Sequence, residues 1–452
     1  MADSERMMQK LFDAVEECKD SILAAERYIW NNAETGFREW KSHEYMKEQF
    51  LRLGYEISEA GDIPGFYADV DTGRPGPKIG IFAELDALLI PDHPQKNPET
   101  GAVHACGHNC QCAAMVGVAA ALKAEGALDG LSGSVRLFVV PAEELIEIGY
   151  RKELIEKGIL HYFGGKQEFL YRGYVDGVDI AMQVHTGGKR FGMECGGNGC
   201  VSKQYTFIGK ASHGANPAAG LNALYAATNA MNMVNAIREQ FGEDSRLRFH
   251  PIITKGGEAV NVIPAEVVVE SYMRGGNVAS IKKANDKANR AFASAAAGMG
   301  CRLYISDKIG YCPRIENAAL QEPFFEMARR FFSPEQIREN RPWSTGCTDM
   351  GDLSVLMPTI IAYTPCSSKA GHTKDFVVED PVSACVTNAK MQLGWLVRLM
   401  ENDAEYSKKA IAEAELPYKT KEEFFAAMEE LSFEGEAVSY NEDGSICIKY
   451  KN

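Results

Sequence analysis

At 452 residues the chain is longer than one ordinary hydrophobic core supports, so two domains are expected. Hydrophobic residues at 45% and charged residues at 24% are the proportions of a folded globular protein. A formal net charge of −14 argues against nucleic acid and anionic membrane surfaces as partners, since both need a basic footprint.

The first thirty residues carry scattered acidic side chains and no apolar run of signal-peptide character. Leu11, Phe12, Val15, Cys18, Ile22 and Leu23 recur at helical spacing and predict an amphipathic helix. No stretch approaches the roughly 18 apolar residues of a membrane span. Without a leader, the twelve cysteines are expected to be reduced thiols in a cytoplasm, most of them small buried apolar groups.

Apolar runs predict strands at 77–85, 133–142 and 179–185, with a long apolar helix at 112–126 between the first two. Strand, helix, strand is the pattern of a parallel sheet covered by helices, whose ligands gather beyond the strands' carboxyl ends. Polar residues stand at those ends: Glu84 and Asp86, Glu143 and Glu144, and His185. After the glycines of CGGNGC (195–200) the order becomes β-α-β-β-α-β, a ferredoxin-like domain inserted into the first. The expected fold is therefore α/β, a mostly parallel sheet flanked by helices at 1–196 and 309–452, interrupted by an α+β domain at 197–308. The tail from about 403 is charged and helical and ends with a hairpin at Asp443-Gly444, an extension of the first domain or part of an oligomer contact.

The stretch HACGHNCQC (104–112) holds two histidines and three cysteines. A structural zinc site would need a second Cys/His pair at short spacing, and a thioredoxin-like centre would need CxxC; neither is present. Cys110 and Cys112 fit a helix interior, while Cys106 and His108 precede it. Adjacent carboxylates ending the apolar strand before Pro141-Ala142-Glu143-Glu144 are costly unless paired, and a metal ion is a natural partner. Taken singly, a solvated loop start accounts for the glutamates and a satisfied core histidine for His185 or His372; their joint occurrence is what points to chemistry.

The chain resembles the M20 family of metal-dependent peptidases and amidohydrolases, in particular its M20D branch. The segments AELDAL (83–88), HACGHN, PAEE, GKASHGANP (209–217), GGEAVNVIP (256–264), YMRG, STGCTDMGDLS (344–354) and GHTKDF carry the resemblance. It implies that Cys106, His108, Glu144, His185 and His372 bind two divalent ions, zinc, manganese or nickel. Glu143 becomes the general base and Asp86 a residue close to the metals. In the inserted lid and dimerisation domain, His213 would reach the substrate carbonyl and Asn261 and Arg274 would hold its carboxylate. The implied function is hydrolysis of an N-acyl or N-aroyl amino acid, p-aminobenzoyl-glutamate among the candidates, by a homodimer paired through the inserted domain. The alternatives are a dipeptidase of the same family and a non-catalytic ligand-binding relative.

The chain departs from that pattern at Asn109, at Gln111-Cys112, and after Glu144, where relatives usually have glycines and this chain has a long aromatic and basic segment. That segment, 145–178, is expected to border the mouth of the site and to set acyl-group preference. The tail beyond about 403 lies outside the resemblance.

Overall fold

Lys78–Glu84 and Ser134–Val140 are buried at every position but the first, as strands covered on both faces must be. In the computed structural model, which describes residues 2–242 and 246–449, they pair in parallel at the centre of an eight-stranded sheet. Phe66–Asp71 flanks them on one side, and Ile180–Gly187, then Thr359–Pro365, follow in parallel register on the other. The four expected elements of this region are present, with the helix running His108–Leu122 and starting four residues before its predicted position. Fourteen of its residues are buried, because alanines, a glycine and small thiols let it pack among neighbouring helices and the sheet. Beneath it lie Ile79, Ile81, Leu137, Met182 and Val184 of the sheet.

The chain divides into two compact units. The first comprises Met1–Gly196, Ile315–Ser344 and Asp352–Lys421; the second comprises Gly197–Arg314, Thr345–Gly351 and Glu422 onward. In the second, Ile252–Lys255, Glu266–Gly275, Gly199–Ile208 and Arg302–Tyr311 lie side by side in an antiparallel sheet. That order, with the helices Ala223–Ala236 and Val278–Gly298, is ferredoxin-like. Glu266–Gly275 alternates buried and partly exposed positions, the signature of a strand with one face on a core. Tyr205 of the sheet stacks on Phe292 of the second helix at 3.7 Å between ring centroids.

The tail corrects an expectation. Residues from Glu422 belong to the second unit, not the first, because Phe433–Tyr440 pairs antiparallel with Arg302–Tyr311 and extends its sheet. Left uncovered, that strand would present unpaired backbone groups along an edge. The inserted unit also reaches Arg314, since its last core strand runs to Tyr311. The expected hairpin forms, Val438–Tyr440 against Ile446–Ile448 with Gly444 at φ 80°; Tyr450 lies outside the described residues. All twelve cysteines are free thiols, and no helix among the described residues is long and apolar enough to cross a membrane.

Candidate metal centre

The first unit brings its acidic strand ends and the start of the His108 helix to one place. Gly107 turns the chain into that helix with φ 80°, and a Cβ there would stand 2.0 Å from Thr186 Oγ1, so only glycine fits. Cys106 Sγ then lies 3.5 Å from His185 Nε2. The His108 ring donates through Nδ1–H to the Asp86 carbonyl at 2.9 Å and faces the Asp86 carboxylate at 3.2 Å. His185 donates through Nδ1–H to the Thr186 carbonyl at 2.6 Å. Each hydrogen bond fixes the tautomer and leaves Nε2 with a lone pair to offer.

Three overlapping groups result: Cys106 with His108 and His185; Cys106 with Glu144 and His372; and His108 with Glu143 and Glu144. Within each, the donor atoms lie within 4.8 Å of one another. Asp86 ties two groups together, since its second carboxylate oxygen accepts the Glu144 backbone N–H at 2.8 Å. Burial would raise Asp86, but the hydrogen bond and charge of His108 together with the Glu144 backbone N–H outweigh it and hold the carboxyl below its usual range.

The backbone here is held in unusual shape. Ala142, just before Glu143, has φ 55°, and His372 has φ 61°. Non-glycine residues in this left-handed region carry about 1–3 kcal/mol of strain and persist where neighbours over-determine them. For Ala142 those neighbours are Glu39, which accepts its N–H at 2.8 Å, and Gly165, which donates to its carbonyl at 3.1 Å. Gly165 itself has no room for a side chain: a Cβ would stand 1.7 Å from the Pro141 carbonyl oxygen. The His372 N–H is held by the Ala105 carbonyl at 2.8 Å.

Several buried polar atoms at this place make no hydrogen bond: His108 Nε2, Glu144 Oε1, and both ring nitrogens of His104. Yet Glu84 Oε2 lies 3.1 Å from His108 Nε2, and His372 Nε2 lies 3.3 Å from Glu144 Oε1. Imidazole and carboxylate donors gathered this closely, with His108 Nε2 and Glu144 Oε1 making no hydrogen bond, suit a cation between them. Burial, then Glu144, push the Cys106 thiol well above its usual range, so a thiolate there calls for a dication. Burial, then Glu84 and Glu144, likewise raise Glu143 well above an ordinary carboxyl. The residues therefore fit divalent ions of mixed sulfur, nitrogen and oxygen ligation. A second His/Glu group, His43 with Glu44 and Glu59, does not: His43 Nδ1 accepts the Gly65 N–H at 2.9 Å, which places the ring proton on Nε2.

The other expected residues belong to the second unit. His213 and Asn261 come together, with His213 paired to Val262 and the Asn261 carbonyl accepting the Gly214 N–H at 2.8 Å. Arg274 does not join them. It lies near the far end of Glu266–Gly275, about 25 Å of strand away, paired in register with Cys200 and with its guanidinium 5.4 Å from the Tyr272 ring centroid.

Sequence reasoning assigned no role to Glu84, Arg151 or Lys166. All three are buried at the first unit's centre. The Lys166 ammonium pairs with Glu84, and Arg151 donates to the carbonyls of Glu144 and Phe163. Glu84 had a signal, its place at a strand end; nothing in a lysine or arginine of a basic segment marks it as buried.

Comparison with known proteins agrees with this geometry. Residues 66–393 match the model of peptidase family M20/M25/M40. The human Xaa-Arg dipeptidase is 28% identical over 385 residues, covering 80% of this chain and 81% of its own. One chain of the p-aminobenzoyl-glutamate hydrolase of Escherichia coli K12 is 30% identical over 279 residues, 58% of each sequence. The fold is shared with a Bacillus subtilis structure described as a dinuclear metal-binding peptidase of the M20 family. Its TM-score is 0.63 at 18% identity, over 85% of this chain and 99% of that one. With the family match spanning most of the sheet and every donor of the cluster, the chain belongs to peptidase family M20/M25/M40 and is a hydrolase of that family.

Proposed function

We propose that this hydrolase cleaves the amide bond of an N-acyl or N-aroyl amino acid at a centre of two divalent ions held by Cys106, His108, Glu144, His185 and His372. The observation that carries the reading is the overlap of the three donor groups, in which Cys106 is shared by two and is thus available to both ions. When bound, zinc, manganese or nickel would supply Lewis acidity and a water of lowered pKa.

The chain's own residues do the rest. Glu143 takes the proton of the attacking water and returns it to the leaving amine. Asp86 keeps the His108 ring and the Glu144 backbone in place through the bonds described above. His213 offers a hydrogen bond to the developing oxyanion, and Asn261 and Arg274 hold the substrate carboxylate, Arg274 as a bidentate clamp. The separation of Arg274 from His213 within one second unit is compatible with a homodimer in which two copies complete each site. Pairing is supported by Tyr225, Ile252, Val260 and Val262, apolar side chains exposed on that unit. Free thiols throughout support a reducing, cytoplasmic setting.

The name of the human relative favours a second reading, a dipeptidase, whose pocket would accept a free substrate amine. A hydrolysis screen of N-acyl amino acids, N-aroyl amino acids including p-aminobenzoyl-glutamate, and dipeptides, each with zinc, manganese or nickel supplied, separates the two. Turnover confined to substrates with a blocked amine is expected; turnover confined to dipeptides would replace the first reading by the second. Inactivity on every member would leave a non-catalytic relative.

A further inference from the structure

Lys166 is fully buried, and its ammonium is paired with the carboxylate of Glu84, itself 1% exposed. The other Glu84 oxygen accepts from Gln111 Nε2 at 2.7 Å, and Gln111 in turn accepts from Gln183 Nε2 at 3.0 Å. Cys112 Sγ donates to the Glu84 carbonyl at 3.0 Å. Each Glu84 oxygen thus has a partner outside the donor cluster, while Oε2 also lies 3.1 Å from His108 Nε2. A count of charges gives this arrangement a purpose. Cys106 as thiolate, Asp86, Glu143 and Glu144 are four negative groups, which two dications would neutralise; Glu84 is a further buried carboxylate beside His108.

We infer that Lys166 is a positioning residue of the metal centre: by neutralising Glu84 and tethering it, Lys166 keeps a further carboxylate from acting as a metal ligand. This rests on the two-metal reading above. It also gives 145–178 a different task from a specificity loop, since its helix Gly165–Tyr171 delivers a cation beneath the site.

The test is calorimetric titration of metal-stripped protein with zinc or manganese, alongside steady-state kinetics. In Lys166→Met the released carboxylate becomes an extra donor. One ion is expected to bind at least tenfold more tightly, while kcat falls at least tenfold and KM changes less than threefold. Glu84→Gln, which leaves the lysine charge unanswered, is expected to weaken metal binding at least tenfold. The double variant Glu84→Gln/Lys166→Met, neutral at both positions, is expected to return to within threefold of wild-type affinity. A purely structural role predicts something else, loss of affinity and of thermal stability together in all three variants, and that result overturns the inference. So does a Lys166→Met protein with wild-type affinity and kcat; should that variant fail to fold, Glu84→Gln and the double variant decide the matter by the same signs. A wild-type chain that binds no metal removes the two-metal reading itself, whereas one that binds two ions with variants unchanged removes only the role of Lys166.

Discussion

Each unit of this protein buries a cluster of charges, and the two clusters are built in opposite ways. In the second unit, Lys203 and Asp307 are both fully buried and bridged by Asn285 and Asn289, whose amide N–H groups reach Asp307 Oδ2 at 2.9 and 2.7 Å. Tyr205 completes the set by donating to Asn289 Oδ1 at 2.9 Å. None of these five side chains is left with a buried polar atom lacking a hydrogen bond. The first unit gathers Asp86, Cys106, His108, Glu143 and Glu144 and leaves His108 Nε2 and Glu144 Oε1 without one. A closed network holds sheet to helix and needs nothing further, whereas an open one with good donors is a place for a ligand. Burial of charge alone therefore does not mark a functional site; incompleteness does.

The contrast can be broken most forcefully at Glu143. Glu143→Gln is expected to keep both ions while hydrolysis falls by about 10²–10⁴, the usual worth of a general base. Metal analysis beside steady-state rates checks this, and normal turnover would remove Glu143 from the role. In the closed cluster, Lys203→Met strands Asp307 in the core. A loss of about 3–5 kcal/mol is expected in denaturant unfolding of the second unit, with metal content unchanged. Altered metal content in that variant would show that the two clusters are not independent.

A graded effect follows from ligand sharing. Cys106 belongs to two donor groups and His372 to one, so Cys106→Ser should lower the content of both ions and His372→Ala that of one. Equal losses in the two variants would contradict the shared role of the thiol. The smallest expected effect is at Asn277, whose side chain caps the Val278–Gly298 helix by accepting the Ser280 N–H at 2.8 Å. Asn277→Ala should cost about 1 kcal/mol in thermal unfolding and leave metal and activity untouched.

What could be read from the chain beforehand follows the same physics. Parallel strands buried on both faces appear as apolar runs, so their acidic and histidine ends stood out at Glu84, Glu143 and His185. The inserted unit was legible because its strands alternate and its helices lie between them. His372, far along the chain at a left-handed turn, stood out only by occurring with the other candidates, and its role as a ligand came from family resemblance. Lys166 and Arg151 were invisible, because a cation in a basic segment looks solvated until the fold encloses it. The tail misled for a related reason: which strand edge Phe433–Tyr440 covers is a long-range choice that no local pattern records. Gln111 and Cys112, departures from the family pattern, acquire meaning only in space, where both meet Glu84.

Anomalous diffraction from crystals soaked in a manganese or zinc salt tests the central claim most directly. Two peaks per chain are predicted, one contacting Cys106, His108 and His185 and the other sharing Cys106 with Glu144 and His372. No peak at this place, or density confined to the His43, Glu44 and Glu59 group, would contradict it.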